Sequence, residues 1–195
     1  MTTDFHYCVF TVFCTGDLSS VLNTVEDIYL EIKKNKATIS KGETNVEKYL
    51  NPRFGGAHLP EFCCWKSANY PDKVFFISNY VDGLSNLCGN IRRKLKCEMI
   101  MCTMSDGSEC EGYKFKMISA EGKERAILAY KEGRWVFYAV GDPLPFEDTE
   151  LYKKRYVRDR LNNKIIYSYL LKNGIDFRFI DENITESFTV TRTKW

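Results

Sequence analysis

Cysteine and histidine are the residue types in this sequence with the clearest potential for chemistry. His58 follows Gly55-Gly56 in a predicted loop, and Cys63 and Cys64 lie a few residues further along the chain. A thiolate beside a histidine base would be a nucleophile for covalent catalysis. No family nucleophile signature surrounds these residues, so a Cys/His enzyme remains only the second alternative, and we predict no catalytic residues.

The spacing of the eight cysteines does not favour a metal site. No two of them are separated by two residues, and only His6 and His58 are available to complete a ligand set. We interpret His6 as a packed side chain, because it lies between aromatic residues in a strand-like pattern. The thiols are interpreted as small buried hydrophobes. We therefore predict no metal and no cofactor.

The compartment is predicted from the N-terminal region and from the charge pattern. The first four residues contain no basic segment and no cleavage site of the kind that marks a signal peptide. The longest uncharged stretch, Phe5 to Gly16, has 12 residues, and a membrane-spanning helix needs roughly 20. We expect a cytoplasmic protein with reduced thiols and no membrane contact.

A basic segment, Lys153 to Arg160, carries five positive charges, one negative charge and a tyrosine. On a predicted helix over 147–160 it could contact phosphates, which makes a nucleic-acid-binding accessory protein the first alternative. The net charge of only +2 weakens that alternative.

Acidic residues directly precede the basic segment, and the two adjoining blocks favour mutual ion pairs or a charged protein interface. Arg155, Arg158 and Arg160 surround Asp159, which predicts an ion-pair network on the helix. The candidate partner-binding residues are Asp142, Glu147, Asp148, Glu150, Arg155, Arg158 and Arg160.

The elements that position these residues follow from hydrophobic periodicity. A strand over 5–14 is apolar on both faces, Asp17 caps a helix that reaches residue 32, and Asp82 caps a second helix. Strands are predicted over 73–78, 98–104, 112–119, 123–130 and 134–139, and helices over 147–160 and 163–172. Residues 37–66 are expected to be irregular, with a short strand near 62–65. Residues 175–195 are expected to form a tail with an edge strand near 187–191.

The element order, β-α-β-α-β-β-β-β-α-α, predicts an α+β fold. The sheet should be mixed and mainly antiparallel, with helices packed on it. The length of 195 residues and the absence of a linker-like stretch predict a single domain over 1–195.

A C-terminal pattern resembles small bacterial cytosolic proteins of the immunity type, which belong to polymorphic toxin systems including contact-dependent growth inhibition. The resemblance spans mainly residues 135–174 and is carried by Trp135-Val136-Phe137-Tyr138, Gly141-Asp142-Pro143-Leu144-Pro145-Phe146-Glu147, Tyr152, Arg155, Arg158-Asp159-Arg160-Leu161, Tyr169 and Gly174, with Phe76 to Asn79 and Asp82-Gly83 upstream. It implies a single-domain protein that binds one toxin domain and blocks it without catalysis. Immunity families diverge at their binding surfaces, so the pattern assigns no binding residue.

Overall fold

The computed structural model describes residues 5–32, 36–42, 44–53, 55, 57–108 and 111–194, apart from the side chains at 30–32 and 179. This part of the chain contains nine strands and three α-helices. The strands are β1 (Tyr7–Cys14), β2 (Ala37–Lys41), β3 (Glu61–Ser67), β4 (Val74–Ser78), β5 (Glu98–Ser105), β6 (Gly112–Ile118), β7 (Glu124–Glu132), β8 (Arg134–Val140) and β9 (Ile184–Arg192). The helices are α1 (Leu18–Glu26), α2 (Ser85–Leu95) and α3 (Asn163–Lys172).

All nine strands belong to one sheet, in the order β2-β9-β3-β4-β1-β5-β6-β7-β8. Every pairing between these strands is antiparallel. Among the described residues, the one parallel contact is an isolated bridge between Arg53 and Tyr80. The predicted α+β class and the consecutive hairpins from β5 to β8 are confirmed.

The central strand β1 is buried on both faces, as its two-sided apolar pattern predicts. Cys8, Phe10 and Val12 enter a layer that also contains the buried residues of α3, which we call the α3 face. Val9 and Phe13 enter a second layer with α1 and α2, which we call the α1 face. Successive side chains of a strand point to opposite sides, so one apolar strand holds two cores together.

The expectation of an irregular segment over 37–66 is wrong at its start, where a strand forms, whereas the short strand predicted near its end is confirmed. Ala37–Lys41 forms β2, and the short predicted strand near 62–65 extends to Glu61–Ser67 as β3. The residues of β2 are polar or half-exposed, and β2 exists because it pairs with β9, about 150 residues further along the chain. A local pattern cannot reveal a strand that depends on so distant a partner.

The strand predicted near 187–191 is confirmed as β9, but the expectation that it forms an edge strand of a C-terminal tail is wrong. β9 lies between β2 and β3 rather than at an edge of the sheet. Phe188 and Val190 from this strand are fully buried in the α1 face. The burial of these two alternate apolar residues fixes the strand inside the sheet.

The predicted capping residue is confirmed for α1 but is wrong for α2. Asp17 caps α1 by accepting a hydrogen bond from the Ser20 amide at 3.1 Å. Asp82 instead accepts from the Leu84 amide at 3.0 Å, in the turn before α2. That helix begins only at Ser85, because Leu84 has a left-handed backbone with φ of 50°.

Candidate partner-binding surface

The candidate residues lie on a segment that leaves β8 sharply and crosses the α3 face. Gly141 makes this turn with φ of +80°, and a Cβ atom there would collide with the Glu124 carbonyl oxygen. Arg125 fixes the turn by donating from Nη1 to the carbonyl of Gly141 at 2.7 Å. A glycine is required at this position.

A buried ion pair anchors the segment to the sheet. Arg125 on β7 donates to Glu147 through Nε to Oε1 at 2.8 Å and through Nη2 to Oε2 at 2.6 Å. The two side chains are 6% and 0% exposed. Burial alone raises the pKa of Glu147, but the hydrogen bonds from Arg125, the Leu144 amide and Tyr152 outweigh it and lower the pKa. Glu147 is therefore a buried anchor, and it is not one of the residues that can contact a partner.

Aromatic residues extend this anchor to α3. The Tyr152 hydroxyl donates to Glu147 Oε2 at 2.8 Å and lies 2.9 Å from the Tyr169 hydroxyl. Lys172, at the end of α3, donates to the Phe146 carbonyl at 2.8 Å. The segment is thus tied to both the sheet and the helix, which leaves its backbone little freedom.

The predicted helix over 147–160 is wrong. Two short 3-10 turns occur instead, Thr149–Lys153 and Val157–Asp159, and Lys154 and Tyr156 between them have non-helical backbones. The buried contacts of Glu147 and Tyr152 hold the segment against the sheet. These tertiary contacts override the helical preference of the sequence.

Without an α-helix, the predicted ion-pair network around Asp159 does not form. Residues four apart are neighbours only on a helical surface. Within the described part of the chain, no ion pair joins Asp159 to Arg155, Arg158 or Arg160. The guanidinium groups contact aromatic rings instead.

Arg155, Tyr156 and Arg158 form the most distinctive group on this surface, and we call them the arginine–tyrosine cluster. The guanidinium carbons of Arg155 and Arg158 lie 5.7 and 6.0 Å from the centroid of the Tyr156 ring. The tyrosine is 57% exposed, the highest value among the exposed large hydrophobic side chains that the structure describes. Cation–π attraction holds the three side chains together in solvent.

The backbone beneath the cluster is well held. Arg160 donates from Nε to the Lys154 carbonyl at 2.7 Å, and its guanidinium lies 5.5 Å from the Phe137 ring centroid. Asn162 donates from Nδ2 to the Arg158 carbonyl at 3.0 Å. The cluster is presented by a braced turn rather than by a free loop.

The acidic residues before the basic segment neutralise little of its positive charge. Lys153 pairs with Glu150 at 2.7 Å, and both side chains are largely exposed. Asp142 and Asp148 are exposed and take part in no ion pair with a described residue. Lys154 and the three arginines likewise lack a carboxylate within 4 Å in the described ranges. The surface therefore keeps its unpaired positive charge.

The geometry does not support a nucleophile formed by His58 with Cys63 or Cys64. The Nε2 atom of His58 lies 3.0 Å from the Asn79 carbonyl oxygen, and its ring packs on Tyr80. Cys63 and Cys64 are fully buried on opposite faces of β3, and burial raises the pKa of both thiols. The thiolate that catalysis would need is disfavoured at both positions.

The expectation that the His6 side chain is packed is wrong, because this side chain is exposed. Its Nδ1 atom lies 2.7 Å from Asp106 Oδ2 and 3.2 Å from Ser108 Oγ. The hydrogen bonds from His6 and Ser108 lower the pKa of Asp106 to about 2. Both partners share one ring nitrogen, whereas a Ser-His-Asp relay uses both nitrogens. These contacts close the turn after β5.

The candidate residues predicted from the sequence include neither Arg125 nor Tyr156, which enters only as the tyrosine of the basic segment. A tyrosine inside a run of lysines and arginines was the available signal for Tyr156. Nothing local marks Arg125, since its partner lies 22 residues away.

No described helix is both long and apolar enough to cross a membrane. Over the same residues, no group of three or more His, Cys, Asp or Glu side chains is arranged to hold a metal ion. Comparison with protein-family models, with curated proteins and with solved structures found no match for this chain.

Proposed function

We propose that this chain is a non-catalytic interaction protein of the immunity type, which binds a toxin domain in the cytoplasm and blocks it. The arginine–tyrosine cluster is the centre of its contact surface. The observation that carries the proposal is the Tyr156 ring, which is 57% exposed and lies within about 6 Å of the guanidinium groups of both Arg155 and Arg158. Neither arginine has a carboxylate partner among the described residues.

The chemistry of the cluster suits a protein partner. Tyrosine and arginine dominate the energetics of protein interfaces, because they combine a large apolar area with directed hydrogen bonds. The braced turn reduces the ordering cost that binding must overcome. Two unpaired guanidinium groups call for carboxylates, so the partner surface should be acidic where it meets Arg155 and Arg158.

The exposed carboxylates of Asp142, Asp148 and Glu150 lie on the same segment and supply the opposite charge. In this proposal they form the rim of the contact, where complementary charges steer association more than they add affinity. The resemblance over 135–174 supports the immunity assignment, since that range includes β8, the anchored segment and α3.

Nucleic-acid binding is the second candidate, because Lys154, Arg155, Arg158 and Arg160 all lack carboxylate partners in the described ranges. Unpaired cations beside an exposed ring can hold phosphates and stack on a base. The two candidates differ in salt dependence. Nucleic-acid binding weakens steeply with salt as counterions are released.

The test is co-expression of this chain with the toxin domain encoded beside its gene. We expect the cells to survive, and we expect the purified proteins to form a one-to-one complex. The ultraviolet absorbance spectrum of that complex should be that of protein without nucleic acid. A toxin that kills equally in the presence of the chain, with no complex on mixing, would refute the proposal. A nucleic-acid spectrum that disappears with added salt would favour the second candidate.

A further inference from the structure

Three of the five exposed large hydrophobic side chains that the structure describes lie together on the sheet. Tyr130, Tyr138 and Val140 are 36%, 56% and 37% exposed. The register of β7 and β8 places them on one face, together with the half-buried Leu128 and Val136. We call these five residues the bare patch, because together they form an apolar surface that is open to solvent.

The bare patch belongs to the α1 face. Val140 lies in one row with Ala126, Lys116 and Met101 on the neighbouring strands, and Met101 is buried in the α1 face. The opposite side of the same strands is covered, since Phe115 is fully buried against rings from α3 and from the anchored segment. The described helices of the α1 face, α1 and α2, leave the bare patch uncovered.

The side of α2 that faces the bare patch has room for a neighbour. Arg92 marks this side, because its Nη2 atom donates to the Ala120 carbonyl, in the turn between β6 and β7, at 2.8 Å. Lys94 points the other way and pairs with Asp27, directly after α1, at 3.1 Å. Gly89 lies on the same side as Arg92, one helical turn away. A Cβ atom added at Gly89 would have no described atom within 4 Å outside the helix's own backbone.

The space over the bare patch has the width of one α-helix. β6 and β8 are two strand spacings apart, which is about 10 Å, and a helix with its side chains is about 10–12 Å across. In the described sheet, α2 borders this space on one side and the outer strand β8 borders it on the other. One further helix would complete the layer that α1 and α2 begin.

A lysine without a counter-charge borders the bare patch. Lys114 lies opposite Leu128, and its ammonium group is 3.6 Å from Met101 Sδ. Among the described residues it has no carboxylate within 4 Å, whereas Lys116 beside it pairs with Glu124 at 3.0 Å. Burial lowers the pKa of Lys114, and Lys116 lowers it further. A carboxylate brought by a partner would stabilise this ammonium group.

We propose that the bare patch binds an amphipathic α-helix of a partner protein, which lies beside α2 and places its apolar side on the patch and a carboxylate on Lys114. The apolar residues supply the contact area, and the unpaired lysine selects an acidic helix. This goes beyond the proposed function and does not depend on it, because the arginine–tyrosine cluster lies on the segment that crosses the opposite face of the sheet.

Binding of a synthetic helical peptide to the full-length protein tests this proposal. The probe carries leucines at every third and fourth position, glutamates beside that stripe and a fluorescent label for anisotropy. A second peptide has glutamine in place of each glutamate. We expect the glutamate peptide to bind about tenfold more tightly than the glutamine peptide, because only a carboxylate forms a charged pair with Lys114.

Two matched pairs of variants locate the contact. Tyr138→Lys places an ammonium group in the bare patch and should weaken peptide binding by at least about tenfold. Leu171→Lys changes a 55% exposed leucine on α3 and should leave binding unchanged. Lys114→Met should make the affinities of the two peptides equal. Lys164→Met, which removes the same charge from an exposed position on α3, should preserve the preference for glutamate.

The proposal would be overturned if neither peptide bound, or if binding were the same in Tyr138→Lys. Two other occupants would also overturn it. A mass that doubles with concentration and returns to that of one chain in Tyr138→Lys, without peptide binding, would assign the patch to a second copy. A toxin complex that is lost in Tyr138→Lys, again without peptide binding, would assign it to the toxin.

Discussion

Arg125 and Glu147 form a two-point ion pair that is almost completely removed from solvent, and this pair fixes the segment that presents the arginine–tyrosine cluster. The pair joins β7 to a turn that would otherwise lie loosely on the sheet. Tyr152 hydrogen-bonds to the same carboxylate and continues the anchor toward α3. The exposed surface thus depends on a buried electrostatic contact.

Glu147→Ala should lower the free energy of unfolding by about 3–5 kcal/mol, because it leaves the buried Arg125 guanidinium without its counter-charge. Urea denaturation measures this loss. The control is Glu150→Ala, which breaks the exposed pair with Lys153 and should cost no more than about 0.5 kcal/mol. Equal effects of the two variants would contradict the anchoring role of Glu147.

The stability contributed by Glu147 should depend on pH. Its pKa in the folded protein lies below the ordinary value of 4.5. The contribution is therefore complete above about pH 4.5 and is lost as the pH falls through the folded-state pKa. The difference in unfolding free energy between the wild type and Glu147→Gln should shrink as the pH falls below 4.5. A difference that stays constant from pH 7 to pH 3 would be inconsistent with this linkage.

Gly141→Ala should destabilise the protein by about 1–3 kcal/mol, because it combines an unfavourable positive φ with a collision against the Glu124 carbonyl. Gly133→Ala is the matched control. Gly133 also has a positive φ, but no atom lies within 4 Å of the added Cβ position. Because both variants place alanine at a positive φ, the difference between their melting temperatures measures the effect of the collision alone. Equal melting temperatures would argue against the tight turn.

The elements with strong local patterns were predictable from the sequence, and those that depend on distant partners were not. β1 is apolar on both faces and was recognised, as were the hairpins from β5 to β8, whose turns contain Gly107, Gly122 and Gly133. β2 and the inner position of β9 depend on each other across the chain. The sequence also identifies the arginines of the candidate site, but the helix it predicts for them over 147–160 does not form, because Arg125 draws Glu147 inward.

The cysteines should react slowly in the folded protein. Burial raises the pKa of Cys8 and Cys88 to about 12 and raises that of Cys63 and Cys64 as well. Only thiolates react readily with disulfide reagents.

In a Cys110→Ser variant, which removes the one cysteine outside the described ranges, the thiols should react at least about 100-fold more slowly than in urea, because so little thiolate is present. Absorbance during reaction with a chromogenic disulfide follows this rate. Fast modification of Cys63 or Cys64 in the native state would revive the Cys/His enzyme alternative.

The arginine–tyrosine cluster is, in the proposed function, the centre of protein binding. Calorimetric titration of the purified toxin domain into this chain measures the affinity with and without the cluster. Tyr156→Ala should weaken binding by about 2 kcal/mol or more, the loss typical of an interface hot spot. The exposure of Tyr156 predicts that the stability of the chain changes little.

The decisive comparison is between Arg155→Glu/Arg158→Glu and Lys96→Glu/Lys123→Glu, which change the net charge equally but at different places on the surface. We expect the first double variant to lose binding and the second to bind like the wild type. Equal affinities for the two double variants and the wild type would contradict the central claim.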